Sequence, residues 1–106
     1  FLNIKERAKL MRKIYKGLLP DGVLILSEKV HFDSKKRTEE ISSIHHSFKA
    51  MNGYSKLEIS SKRDSLEGVL VTETESQHLA RAKETGFKST IKLMSNLNFS
   101  TYKFKK

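Results

Sequence analysis

The sequence predicts an α/β fold in the order helix, buried parallel strand, three helices and a terminal antiparallel strand pair. Three observations carry this expectation. Apolar residues recur at helical spacing through residues 4–18. Val23-Leu24-Ile25-Leu26 is an apolar run without alternation, as in a strand covered on both faces. Residues 87–104 alternate in polarity around an Asn96-Leu97-Asn98 turn, which predicts a hairpin.

The first helix presents Ile4, Ala8, Met11, Tyr15 and Leu18 on one stripe, with cationic residues on its other sides. Asn3 caps its start, with Glu6 three residues on, and Gly17 suits the left-handed position after its last turn. Leu18-Leu19-Pro20-Asp21-Gly22 supplies turn chemistry before the strand. Asp33-Ser34 opens a second helix with the stripe Ile41, Ile44, Phe48 and Met51, ending near Asn52-Gly53. Ser55 with Glu58 forms a capping box for a third helix that runs to about Glu67, just before Gly68. Thr72 with Glu75 repeats that pattern for a fourth, closed by Gly86.

With 106 residues the chain is at most one domain, and 37% apolar against 31% charged residues is a globular balance with a small core. A parallel strand buried on both faces needs parallel neighbours, and these residues offer one such strand and a hairpin. Residues 1–106 are therefore expected to be the C-terminal portion of a larger α/β domain. No apolar run approaches the roughly 18–20 residues of a membrane-spanning helix. The absence of cysteine excludes disulfides, thiolate nucleophiles and thiolate metal sites, and fits a reducing compartment, so a cytoplasmic location without membrane contact is expected. The net charge of +9 is spread over both halves, with concentrations at Lys5–Lys16 and Lys103–Lys106. Such an excess attracts polyanions weakly by itself, but no RNA-reading aromatic signature or zinc finger accompanies it.

The five glycines lie far apart at helix ends and turns, so they build no phosphate cradle. His45 and His46 point about 100° apart on a helix, which disfavours joint metal ligation, and no metal site is expected. Ser27-Glu28 follows the buried strand, where open α/β sheets place either ligand contacts or solvated loops. Arg63 is the most informative residue. It is rotated by only about 40° from Ile59 and 60° from Leu66, so it shares the apolar stripe of the third helix. Two readings fit it. A guanidinium on a buried stripe needs an anionic partner, and its planar fork grips a carboxylate through two parallel hydrogen bonds. Alternatively it snorkels to water, or pairs with Glu67 one turn on. No residue is singled out as a catalytic acid, base or nucleophile.

Lys13-Ile14-Tyr15-Lys16-Gly17-Leu18, Pro20-Asp21-Gly22 and Leu24-Ile25-Leu26-Ser27-Glu28-Lys29 resemble the late helix and strand of class I S-adenosylmethionine-dependent methyltransferases. His45-His46-Ser47-Phe48-Lys49, Asn52 through Ser60, Lys62-Arg63, Leu66-Glu67 and Ala82 through Phe87 are more specific. Together they resemble the carboxy-S-adenosyl-L-methionine synthase family. The resemblance implies the C-terminal half of a Rossmann-like methyltransferase fold and a homodimer. It further implies conversion of S-adenosyl-L-methionine and prephenate to carboxy-S-adenosyl-L-methionine and phenylpyruvate, for 5-oxyacetyl modification of the wobble uridine in tRNA. Arg63 matches the family's arginine that reaches into the neighbouring subunit's site and binds the carboxylate of the carboxylated cofactor. The family's glycine-rich cofactor loop and ribose-binding acid have no counterpart in these residues, so this chain alone is expected to bind cofactor poorly and to be inactive. Ser89 to Lys106 carries little of the family's pattern. An ordinary class I methyltransferase and a small basic nucleic-acid-binding module are the alternative readings, and direct tRNA binding is not expected of an enzyme that makes a small-molecule cofactor.

Overall fold

A computed structural model describes residues 1–106. Helix α1 (Ile4–Gly17) leads into strand β1 (Val23–Lys29), followed by α2 (Lys35–Met51), α3 (Lys56–Leu66), α4 (Glu75–Thr85) and the hairpin of β2 (Ser89–Asn96) and β3 (Phe99–Lys105). The α/β class and the element order are those of the C-terminal part of a methyltransferase-type fold. Asn3 caps α1 by accepting from the backbone N–H groups of Lys5 and Glu6, and Ser34 caps α2. Ser55 and Glu58 close the capping box of α3 reciprocally.

Three local expectations are corrected. Gly17 is the last residue of α1 rather than a left-handed cap; Leu18 ends the helix in an extended conformation, its N–H bonding the carbonyls of Ile14 and Tyr15. The capping box of α4 is Thr74 with Gln77, two residues later than Thr72 with Glu75. Thr72 Oγ1 instead lies 2.9 Å from His31 Nδ1, and Glu73 bridges to Val30, so a tertiary contact holds 72–73 extended past the earlier cap. The predicted stripe of α2 is present, but Ile44, Phe48 and Met51 are exposed and only Ile41 is half-buried.

The sheet is three-stranded in the order β1-β3-β2. β3 pairs antiparallel with both neighbours, in registers that set Leu26 and Lys92 opposite Tyr102, and a bulge falls between Lys92 and Met94. The buried parallel strand is thus a correction: the one ladder partner of β1 is antiparallel, and its parallel contact is confined to the Val30–Glu73 bridge. The reason is topological: β2 runs in the same sense as β1, but β3 lies between them and pairs with both. Nor is β1 covered twice. Leu24 and Leu26 pack against the core, whereas Val23 and Ile25 are 46% and 51% exposed.

α1 and α4 pack on that one face. Met11, Ala82, Phe87, Tyr102 and Phe104 form the core, with Tyr15, Leu18 and Leu79 at its margin. Tyr102 and Phe104 are wholly buried and stack with ring centroids 6.0 Å apart. Burying an aromatic side chain of this size contributes about 1.5–3 kcal/mol. Gly86 ends α4 at φ 117°, a left-handed value glycine adopts without strain. A Cβ there would also stand 3.2 Å from the Tyr15 ring, which itself meets Phe87 edge-on at 5.0 Å. The opposite sheet face, with Ile91 and Met94 on β2, is open.

Candidate functional site

At the C-terminal end of β1 the chain enters a cleft of about 470 Å³ between that strand end, α2, α3 and the segment before α4. β1 delivers Lys29, the last two turns of α2 deliver His46 and Lys49, and α3 delivers Lys62 and Arg63. Glu67 is the one carboxylate on its wall. His45, beside His46, turns toward the sheet and packs edge-on against Phe99 at 5.4 Å, which joins α2 to the start of β3.

Arg63 shares its helix face with Ile59 and Leu66, as the spacing predicts, and all three line the cleft. It is nevertheless exposed, while Ile59 and Leu66 are half-buried. The stripe stays shallow because α3 packs mainly on α2 and not broadly on the sheet. Arg63 forms no ion pair with Glu67 or any other acid, and its guanidinium makes no hydrogen bond within the chain. It also borders a shallower recess lined by His46, Lys56 and Ser60.

The electrostatics of the cleft are those of cations near cations. Burial, then Lys49, pushes the Lys29 ammonium below its usual range. Burial, then Lys49, Arg63 and Lys29, pushes His46 down, so this imidazole is neutral at pH 7. His45 is lowered by burial, Lys49, Lys29 and His46. Such a site can attract and orient an anion. Its one hydroxyl–imidazole contact is that of Thr72 Oγ1 with His31 Nδ1 at 2.9 Å, and it has no group of three or more His, Cys, Asp or Glu residues that could hold a metal ion.

Ser27 and Glu28 do not join this cleft. Ser27 Oγ lies 2.8 Å from Thr101 Oγ1 across the ladder, and Glu28 borders a separate apolar cavity between α1, β1 and α4. The sequence reading also missed Lys29 and Lys49. Lys29 ends an apolar strand, and Lys49 lies one turn after His46; each is an ordinary surface lysine until the fold sets them on one wall. Of the groups that S-adenosylmethionine requires, these residues fit the carboxylate end. No glycine lines the cleft, so these residues supply no glycine-built cradle for the ribose.

No protein-family model matches the chain. Among known proteins, it is 47% identical over 104 residues to the carboxy-S-adenosyl-L-methionine synthase of Hydrogenovibrio crunogenus, which covers 98% of this chain and 39% of that protein. Its identity to the synthase of Ruthia magnifica is 41% over 102 residues, covering 96% and 43%. For the synthase of Pasteurella multocida it is 42% over 101 residues, covering 95% and 42%. The chain spans about two fifths of the length of these curated relatives. Along nearly all of its own residues, therefore, the chain belongs to the carboxy-S-adenosyl-L-methionine synthase family.

Proposed function

We propose that this chain forms the carboxylate-recognition wall of a carboxy-S-adenosyl-L-methionine synthase, with Arg63 as the residue that binds the carboxylate. One observation carries the reading: Arg63 projects without an internal partner from a cleft whose other charged groups are mostly cations. A guanidinium left open in this way has both fork hydrogen bonds available for a ligand carboxylate. Its task is to recognise and retain a charged group, since arginine stays protonated and moves no proton.

In this reading the complete protein converts S-adenosyl-L-methionine and prephenate to carboxy-S-adenosyl-L-methionine and phenylpyruvate, and the product serves wobble-uridine modification of tRNA in the cytoplasm. The cofactor, when bound, supplies the activated methyl group that receives the carboxyl group. A preceding half of the domain contributes the adenosyl contacts and covers the open sheet face around Val23, Ile25 and Ile91. The enzyme works as a homodimer in which Arg63 completes the neighbouring subunit's site. The apolar residues exposed on the same helical pair, Phe48, Met51, Tyr54 and Leu57, support that arrangement, because a second subunit would remove them from water.

The full-length protein incubated with S-adenosyl-L-methionine and prephenate is expected to release phenylpyruvate. Arg63→Ala is expected to lose most carboxy-S-adenosyl-L-methionine affinity while keeping that for S-adenosyl-L-methionine. Methyl transfer to an acceptor without any need for prephenate would overturn the reading in favour of an ordinary methyltransferase.

A further inference from the structure

The outward face of α1 is almost entirely cationic. A helix turns about 100° per residue, so Lys5, Lys9, Arg12 and Lys16 fall within about 60° of one another, with Lys13 at their margin, and all five are exposed. They follow each other at roughly one cation per 5.4 Å turn. Lys5, Arg12, Lys13 and Lys16 belong to none of the six ion pairs, and Lys9 only comes within 4.0 Å of Glu6. Other helices set opposite charges one turn apart, as with Lys35 and Glu39 on α2 at 3.9 Å, or Glu58 and Lys62 on α3. On α1 the charged pairs at that spacing are Lys5–Lys9, Lys9–Lys13 and Arg12–Lys16. All are of like sign, which works against the helix. Nearby cations are already engaged: Glu73 holds Arg7, Asp21 lies 3.7 Å from Lys105, and Lys106 donates to the Leu18 carbonyl at 2.7 Å. The stripe is what folding leaves unanswered.

Three kinds of anionic partner answer such a stripe, and α1 itself chooses among them. A lipid surface takes up an amphipathic helix by its apolar side, but here Met11 is buried and Tyr15 and Leu18 pack on the core. A protein partner needs an apolar centre to its contact, and no apolar residue of α1 lies on the arc of these cations. A sugar–phosphate backbone asks only for cations at regular intervals. We infer that Lys5, Lys9, Arg12 and Lys16 form a docking surface for the phosphodiester backbone of a nucleic acid, held by charge and spacing without readout of bases. The surface lies on a different element from the exposed apolar residues of α2 and α3, so it stays free in the proposed homodimer. The inference goes beyond the synthase reading and does not rest on it, because that reaction consumes no nucleic acid.

The test measures fluorescence anisotropy of labelled RNA and DNA duplexes of about 20 base pairs, titrated with the full-length protein over a range of salt concentrations. The variant Lys5→Gln, Lys9→Gln, Arg12→Gln and Lys16→Gln is compared with a control that removes the same charge elsewhere, Lys35→Gln, Lys36→Gln, Lys83→Gln and Lys88→Gln. The stripe variant is expected to bind at least about tenfold more weakly and to lose about 3 from the slope of log K against log salt, whereas the control loses less than about 1. A stripe carrying arginine at all four positions is expected to restore both quantities, and the urea midpoint of the glutamine stripe variant is expected not to fall, because it relieves like-charge pairs. Binding that depends on the stripe supports the surface with either duplex, and the tighter of the two names its source. An equal loss in the control, or an unchanged salt slope in the stripe variant, overturns the surface and leaves only diffuse attraction by net charge. Tighter stripe-dependent binding to phosphatidylserine vesicles than to either duplex overturns the nucleic-acid assignment in favour of a lipid surface.

Discussion

Arg81 and Arg63 lie on the successive helices α4 and α3, yet the fold treats them in opposite ways. Arg81 bonds both oxygens of Glu73, and Arg7 reaches the same carboxylate from α1 at 2.7 Å while donating to the Val71 carbonyl at 2.6 Å. Glu73 is 3% exposed. Burial alone would raise its carboxyl pKa, but the bonds and charges of Arg81 and Arg7 outweigh that and hold it below the usual range. This clasp ties α1, α4 and the segment before α4 together, and every charge in it has a partner. Arg63 has none, and its nearest charged neighbours on the cleft wall are mostly cations. A satisfied cation cluster holds a fold together; an unsatisfied one at a cleft is where a ligand completes the charge balance.

The largest test of that contrast removes the shared carboxylate. Glu73→Ala is expected to lower the unfolding free energy by about 2–4 kcal/mol in urea titration, because it strands two half-buried guanidinium groups. The same clasp sets an acid limit. With its folded pKa depressed, ionised Glu73 stabilises fully above its ordinary value of 4.5, and the contribution fades as pH falls through the lower folded value. Glu73→Gln is expected to flatten that acid limb in melts recorded between neutral and strongly acidic pH. Tyr102 donates to Glu75 Oε2 at 2.9 Å beneath α4, so Tyr102→Phe is expected to cost about 0.5–1.5 kcal/mol by the same urea assay. Ser55→Ala opens the capping box of α3 and is expected to cost roughly 0.5–1 kcal/mol, seen as faster amide exchange in its first turn while α4 stays protected. Smallest of all, Arg63→Ala is expected to shift stability by less than about 0.5 kcal/mol, since it breaks no internal bond. A drop of several kcal/mol in that variant would make Arg63 another structural cation and erase the contrast.

Features that depend on near neighbours in the chain were legible. The caps at Asn3, Ser34 and Ser55 and the closing Gly86 each rest on residues within about four positions of one another, and the terminal hairpin on the short turn between β2 and β3. Thr72 shows the limit. It and Thr74 offer equivalent local capping patterns, and the choice fell to His31 and Val30, some forty residues away. The apolar stripe of α2 was equally readable, but periodicity says only that a helix has an apolar face, not what covers it. Ile44, Phe48 and Met51 face outward here. The site follows the same division. Helical rotation placed Arg63 beside Ile59 and Leu66 correctly, whereas its exposure, and the gathering of Lys29 and Lys49 on the facing wall, depend on how α2 and α3 lie against the end of β1.

By itself, then, the amino-acid sequence determined the elements, most of their ends and the helix face that bears Arg63, because backbone hydrogen bonds, caps and helical rotation act over a few residues. Tertiary structure alone decided which cations found a carboxylate and which did not. Arg7, Glu73 and Arg81 meet from three segments, and Lys29, Lys49 and Arg63 meet from three others. Coulombic pairing and desolvation depend on distance in space and on the water left between the charges, and chain spacing encodes neither.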